Sequence, residues 1–235
     1  MKLSDTELNR ILNQIQKIET LTAKDDADDQ IDTIKKIAVK KVKRQKELLE
    51  LKNTARPIVA TGLVMRWVFT THSRPRIERF LKLYPEVTTL KELRKRLDAT
   101  DEISFCRDYL NINTKGKLFR YQLINDLCNY FLDYCARHGF EDEKEGMLDW
   151  ARKVDLDNIK DDPITRIPNV SEATVQNIIM ALGLRVVKDD VHVTNARRRL
   201  RIPSEIKSHE LAAMLGYDPI VLDKILFEWD RNYPE

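Results

Sequence analysis

The residues best suited to chemistry stand close together between Ile167 and Leu200, in the stretch IPNVSEATVQNIIMALGLRVVKDDVHVTNARRRL. Two carboxylates, Asp189 and Asp190, precede Val191-His192-Val193, and a basic run follows at Arg197-Arg198-Arg199. A carboxylate at the start of a helix is held ionised by the partial positive charge of the helix N-terminus. Such a fixed anion can stabilise a developing cation or orient an attacking water. The same position also suits an ordinary N-cap aspartate, with Asp189 as the adjacent rival. His192 taken alone reads as a structural histidine, and the arginine run as a solvated face.

Upstream, Ile167-Pro168-Asn169-Val170-Ser171 has the composition of a tight turn, and Glu172 to Leu182 reads as a helix stopped by Gly183. A turn that feeds a helix N-terminus exposes backbone N–H groups able to hold a phosphate. Asn169 tolerates the left-handed backbone that such a turn often demands. Val170 would anchor the turn in the core, and Thr174 would add a hydroxyl from the first helical turn.

The elements that must position these groups read as helices. The chain has 235 residues, 34% charged and 42% hydrophobic, with a net charge of +3. That length suits one large domain or two small ones. Only six glycines occur, and apolar residues recur at helical spacing, so the expected fold is all-α. Ser4-x-x-Glu7 is a capping box ahead of the stripe Leu8, Ile11, Leu12, Ile15, Ile18, Leu21. After the acidic break Asp25-Asp26-Ala27-Asp28-Asp29, a second helix over 30–52 has an apolar face and a basic one: Lys35, Lys36, Lys40, Lys41, Lys43, Arg44 and Lys46. That basic face is either solvated surface or a set of phosphate contacts, which would make nucleic-acid affinity salt-dependent.

Ala55-Arg56-Pro57 marks a boundary. Helices are then expected over 58–70, from Arg76 to Tyr84, in a short segment capped by Thr88 or Thr89, and over 102–112, 117–138, 143–154, 208–215 and 219–231. The recurring aromatics of 117–138 read as core. Residues 155–163 read as a polar loop. The expected organisation is a helical hairpin extension over 1–55, a helical lobe over 56–140, and a second lobe over 141–235 that carries the turn and Asp190.

The three cysteines, Cys106, Cys128 and Cys135, lie in apolar helical segments without a C-x-x-C pair. They cannot supply four thiolates for a zinc ribbon or an all-cysteine iron–sulfur cluster within one chain. No run of 18 apolar residues occurs, and MKLSDTELNR lacks the apolar core of a signal peptide. A cytoplasmic, nucleoid-associated address with no membrane partner is the resulting expectation.

In combination, these blocks resemble the helix-hairpin-helix DNA glycosylases, the superfamily of endonuclease III and the adenine glycosylases. Their hairpin reads approximately L-P-G-V-G-x-K-T-A, where this chain has Ile167-Pro168-Asn169-Val170-Ser171-Glu172-Ala173-Thr174-Val175. Their catalytic segment reads V-D-T-H-V followed by arginines, where this chain has Asp190-Val191-His192-Val193 and Arg198-Arg199-Leu200. Ala181-Leu182-Gly183 and the upstream block from Glu78 to Leu90 fall in the same order, so the likeness covers residues 58–202.

The resemblance implies a two-lobed helical fold with a six-helix-barrel-like lobe and a helix-hairpin-helix. It implies DNA contact through Asn169, Val170, Ser171, Ala173, Thr174, Lys188 and His192. Asp190 would be the catalytic carboxylate, acting on a base flipped from the duplex. The lyase members carry a lysine nucleophile where this chain has Glu172-Ala173, so the implied activity is a monofunctional N-glycosylase. Asn169 and Ser171 replace two hairpin glycines, and the wedge position falls near Phe69-Thr70-Thr71-His72. No iron–sulfur cluster is expected; a monovalent cation at the hairpin is compatible with the likeness. The expected partner is double-stranded DNA bearing a damaged or modified base, bound by a monomer. A non-catalytic DNA-binding protein of the same fold and a helical adaptor using residues 1–52 are the competing readings.

Overall fold

The computed structural model describes residues 3–25, 30–50, 52–64, 72–112, 118–184 and 191–234. The fold is all-α, with one two-stranded ladder among the described residues. It divides into two compact units, one of residues 1–50 with 183–235 and the other of residues 51–182.

In the first unit, α1 (Asp5–Thr20) starts at the expected capping box. Ser4 Oγ accepts from the Glu7 N–H, and Glu7 Oε2 accepts from the Ser4 N–H at 2.9 Å. Its stripe buries Ile11, Ile15 and Ile18. The chain then forms β1 (Thr22–Lys24) and β2 (Ile31–Thr33), paired antiparallel with Ala23 opposite Asp32. The helix expected from residue 30 therefore begins later, as α2 (Ile34–Glu50). Ile31 and Thr33 are β-branched, and the short ladder gives their backbone groups partners that an isolated first helical turn lacks.

The unit is completed by α10 (Val191–Arg199), α11 (Ser208–Leu215) and α12 (Pro219–Asn232). Helix α12 packs against both α2 and α10. Ile15 and Ile37 from the chain's beginning share one core with Val193, Leu222 and Ile225 from its end.

The basic face of α2 is largely answered inside this unit. Lys35 pairs with Glu19, both Lys36 and Lys40 with Asp32, Lys41 with Glu228 and Arg44 with Asp25. Glu228 and Asp25 are fully buried. Buried carboxylates need such partners, so Lys41 and Arg44 are committed to the interior of the unit, while Lys35, Lys36 and Lys43 remain exposed.

In the second unit, Ala55-Arg56-Pro57 opens α3 (Ala55–Val64). Proline is tolerated in a first turn because its missing N–H would have no intrahelical partner there. Asn53 Oδ1 accepts from the Arg56 N–H at 2.8 Å. Then come α4 (Arg74–Leu83), α5 (Leu90–Asp98) and the single turn α6 (Glu102–Ser104), which runs on as a π-helical turn, Phe105–Tyr109. Thr89 caps α5 through a capping box with Glu92.

Helix α7 (Phe119–His138) is central, packing on α3, α5 and α8 (Glu143–Lys153), and Gly139 closes it at φ 72°. Its buried faces carry Leu123, Ile124, Leu127 and Phe131, as core packing requires. The three cysteines are buried free thiols. Where α3 crosses α7, Gly62 permits the approach: a Cβ there would lie 2.4 Å from Ile124 Cγ1.

The division between the units differs from the expected partition at residues 55 and 140. Residues 141–182 belong with 51–140, because α8 packs on α7 and α9 (Glu172–Ala181) packs on α3. The chain's two ends share the other unit, so the N-terminal helices are part of a core and not an appended extension. Among the described residues, no helix is long and apolar enough to cross a membrane.

Candidate nucleic-acid interface

The hairpin is built from a capped turn, a left-handed residue and a capped helix. The segment read as a polar loop, 155–163, contains one 3-10 turn, Ile159–Asp161, and a second, Pro163–Arg166, starts at its last residue. Their buried residues, Ile159 and Ile164, tie it to the core. Asp162 Oδ1 accepts from the Ile164 N–H at 2.9 Å. The Tyr130 hydroxyl and the Trp150 indole N–H approach the same oxygen at 3.4 and 3.5 Å. The first arm of the hairpin is thus a 3-10 turn anchored on the aromatic layer of α7 and α8.

The turn itself reverses at Asn169, whose φ is 69°. Among non-glycine residues, asparagine is one that occupies this region at modest cost. The Val170 N–H donates to the Ile167 carbonyl at 3.0 Å, and the Val170 side chain is buried, anchoring the turn as its type and place suggested.

Ser171 is the extended N-cap of α9. Its N–H donates to Thr174 Oγ1 at 3.2 Å, and the Thr174 N–H donates back to Ser171 Oγ at 3.3 Å. The two hydroxyls are also hydrogen-bonded to each other, at 3.0 Å. Thr174 is buried, so its hydroxyl shapes the cap and does not stand open as a phosphate donor. The apolar face behind the cap, Val175, Ile178 and Ile179, fixes α9 in the unit. The helix runs to Ala181 with Leu182 as its C-cap, and Gly183 follows at φ 83°.

These bonds settle which amides remain available. The donors of Val170, Ser171 and Thr174 are used within the hairpin. Among the described residues, none accepts from the N–H groups of Asn169, Glu172 or Ala173. The last two belong to the first turn of α9, where the helix places partial positive charge. An anion at this end would meet main-chain donors. The Glu172 N–H was not foreseen as a donor, since a main-chain group leaves no trace in residue type.

The second half of the key stretch belongs to the other unit. Asp190, its rival Asp189 and Lys188 lie outside the described residues, as does most of the expected wedge, Phe69 to Thr71. Helix α10 begins at Val191, the residue after Asp190.

His192 lies in the first turn of α10. Its Nδ1 is 2.8 Å from Asp230 Oδ2, and its ring meets Phe227 edge to face at 4.9 Å between centroids. Asp230 also pairs with Arg199 at 3.4 Å. One imidazole nitrogen is therefore committed to α12, and the other has no partner among the described residues. The expected basic run is split. Arg197 bonds to Ser208 Oγ and the Ile206 carbonyl, Arg199 lies over the Trp229 ring at 4.0 Å, and Arg198 is exposed. Asp230 lies 38 residues beyond His192 in the chain, a pairing without a local sequence signal.

In comparisons with family models, curated proteins and solved structures, the chain finds no match.

Proposed function

We propose that this protein binds double-stranded DNA through the Ile167–Ala181 hairpin and acts as a monofunctional N-glycosylase on a damaged or modified base. The observation that carries the reading is the hairpin's geometry: Asn169 at φ 69° leads into a capped helix whose Glu172 and Ala173 N–H groups have no acceptor among the described residues. That arrangement suits a backbone phosphate. The likeness of the surrounding blocks to the helix-hairpin-helix glycosylases adds the catalytic half of the proposal.

In this reading the hairpin fixes the DNA backbone, and Asp190 serves the flipped nucleotide. A water attacks C1′ of the deoxyribose as the C1′–N bond breaks. The base leaves with the bonding electron pair and takes a proton from solvent, and the proton lost by water passes to the Asp190 carboxylate. That carboxylate also steadies the oxocarbenium-like sugar. Ala173 stands where a lyase would carry its lysine, so no Schiff base forms.

The test is release of free base from a panel of lesion-containing duplexes, with alkali revealing abasic sites. Asp190→Asn should abolish release and retain DNA binding, and borohydride should trap no covalent adduct. Full activity in Asp190→Asn would remove the catalytic assignment. A strong adduct would remove the monofunctional one. DNA binding without release across the panel would favour a non-catalytic DNA-binding protein, and loss of binding even at low salt would overturn both.

A further inference from the structure

His192 stands in the first turn of α10, next to the exposed Val191. Its side chain is 37% exposed, against 8% for Asp230. The ring is fixed from two directions: Nδ1 lies 2.8 Å from Asp230 Oδ2, and Phe227 meets it edge to face. The other oxygen of Asp230 faces Arg199 Nη1 at 3.4 Å.

These contacts decide which ring nitrogen carries the hydrogen. A carboxylate shared with an arginine offers only acceptors, so the hydrogen of neutral His192 sits on Nδ1. Nε2, which has no partner among the described residues, is then bare. A bare nitrogen presents a lone pair and no donor to a phosphate oxygen. Protonation leaves the inner bond intact and adds an N–H at Nε2 and a positive charge on the ring.

The charged surroundings are shared out within the unit. From α12 the ring faces Asp230, and Arg231 stands 5.8 Å from the Phe227 ring centre. Arg231 is held by Glu228, which also takes Lys41 of α2. On α10 itself, Arg199 shares the Asp230 carboxylate. Asp189 and Asp190 precede the helix and lie outside the described residues.

We propose that Asp230 positions His192 as a protonation-gated contact to a DNA backbone phosphate: no donor as the neutral imidazole, a charge-assisted donor as the imidazolium. The proposal deepens the duplex-binding reading and rests on it. Asp230 acts through His192 and is a positioning residue. Asp230→Asn should reverse the arrangement. Arg199 offers only donors and takes the amide oxygen, so the amide N–H₂ turns to His192 Nδ1 and the ring hydrogen of the neutral form moves to Nε2.

The test has two arms, both on the full chain. In protein carrying isotopically labelled histidine, nitrogen–proton correlation NMR through the ring reads the tautomer. Nδ1–H is expected for neutral His192 in the wild type and Nε2–H in Asp230→Asn. Nε2–H in the wild type would overturn the proposal. In the second arm, fluorescence polarisation follows binding of a fluorescein-labelled duplex from about pH 8 to about pH 5.5, across histidine's ordinary range. His192→Asn places an amide N–H₂ near the position of Nδ1, which keeps the Asp230 bond, and has no counterpart of Nε2. It should match the wild type at the higher pH and bind about fivefold more weakly at the lower. Over the same range the wild type's salt slope should steepen by about one ion more than that of His192→Asn. Asp230→Asn, checked for folding by circular dichroism, should narrow the gap in affinity between the two pH values. Equal affinities of wild type and His192→Asn at both pH values, or a full deficit of His192→Asn already at the higher one, would overturn the gating and leave duplex binding standing. No duplex binding by the wild type at either pH, even at low salt, would overturn the duplex-binding reading itself.

Discussion

Ser171 and Thr174 hold each other: each donates its backbone N–H to the other's hydroxyl oxygen, at 3.2 and 3.3 Å. This reciprocal cap fixes the angle at which the turn at Asn169 enters α9. It also uses up the Ser171 and Thr174 amides, directing any anion to Glu172 and Ala173.

The cap sets the first prediction. Ser171→Ala and Thr174→Val should each lower stability by about 1 kcal/mol in thermal or urea unfolding. If the hairpin grips a phosphate, each should also weaken duplex binding by about fivefold. Asn169→Gly should keep both properties, because glycine takes φ near 69° without strain, whereas Asn169→Val should lose about 1–2 kcal/mol. Undiminished DNA binding by Asn169→Val would separate the hairpin from recognition.

The basic face of α2 makes a second, opposed pair. Lys41 faces the fully buried Glu228 at 2.7 Å, with Arg231 on the same carboxyl group. Lys41→Met should cost about 2–3 kcal/mol by leaving a buried carboxylate short of a partner. The exposed Lys36 and Lys43 should matter little: Lys36→Gln and Lys43→Gln should shift stability by less than about 0.5 kcal/mol. Neither should change the slope of DNA affinity against salt. A drop in that slope of about one ion per substitution would restore the phosphate-track reading of this face.

Glu143 carries a third. Its carboxylate accepts from the Thr54 hydroxyl at 2.6 Å and from the Leu90 and Lys91 N–H groups at 2.6 and 3.0 Å, joining the starts of α3, α5 and α8. Glu143→Ala should therefore destabilise the 51–182 unit by about 3 kcal/mol, since it orphans buried donors. Glu143→Gln should cost less, because one oxygen still accepts. Equal losses for the two would mean that packing, not the hydrogen bonds, holds this junction.

Alkaline pH supplies the fourth. Burial pushes the Cys128 thiol from its ordinary 9.0 up to about 12. Between those values the unfolded chain releases the proton and the folded chain keeps it, so the unfolded state binds fewer protons and stability falls as pH rises. Burial also raises Tyr130, which acts in the same direction. Unfolding free energies measured from pH 8 upward should decline through this window, and Cys128→Ala should flatten the decline. A decline identical in Cys128→Ala would assign it to other groups. At pH 8 the folded protein should also leave Cys128 unalkylated by iodoacetamide.

Much of the molecule was legible from local chemistry. The capping box at Ser4, a threonine cap at Thr88 or Thr89, and the stripes of α1 and α7 depend on contacts within a few residues, so spacing alone reveals them. Asn169 was readable for the same reason: its conformational tolerance belongs to the residue itself. The start of α2 was misplaced because Ile31–Thr33 pairs with Thr22–Lys24 across the acidic break, and that partner is not adjacent in the chain.

What tertiary structure alone decided is partnership at a distance. Residue types told of a basic face, a histidine and a threonine hydroxyl near a turn. They did not tell that Lys41 would meet Glu228, His192 would meet Asp230, or that the first and last segments would share one core. The physical reason is that a helix's identity comes from hydrogen bonds within a few residues. The company its side chains keep comes from burial, which pairs charges and apolar faces without regard to their separation in sequence.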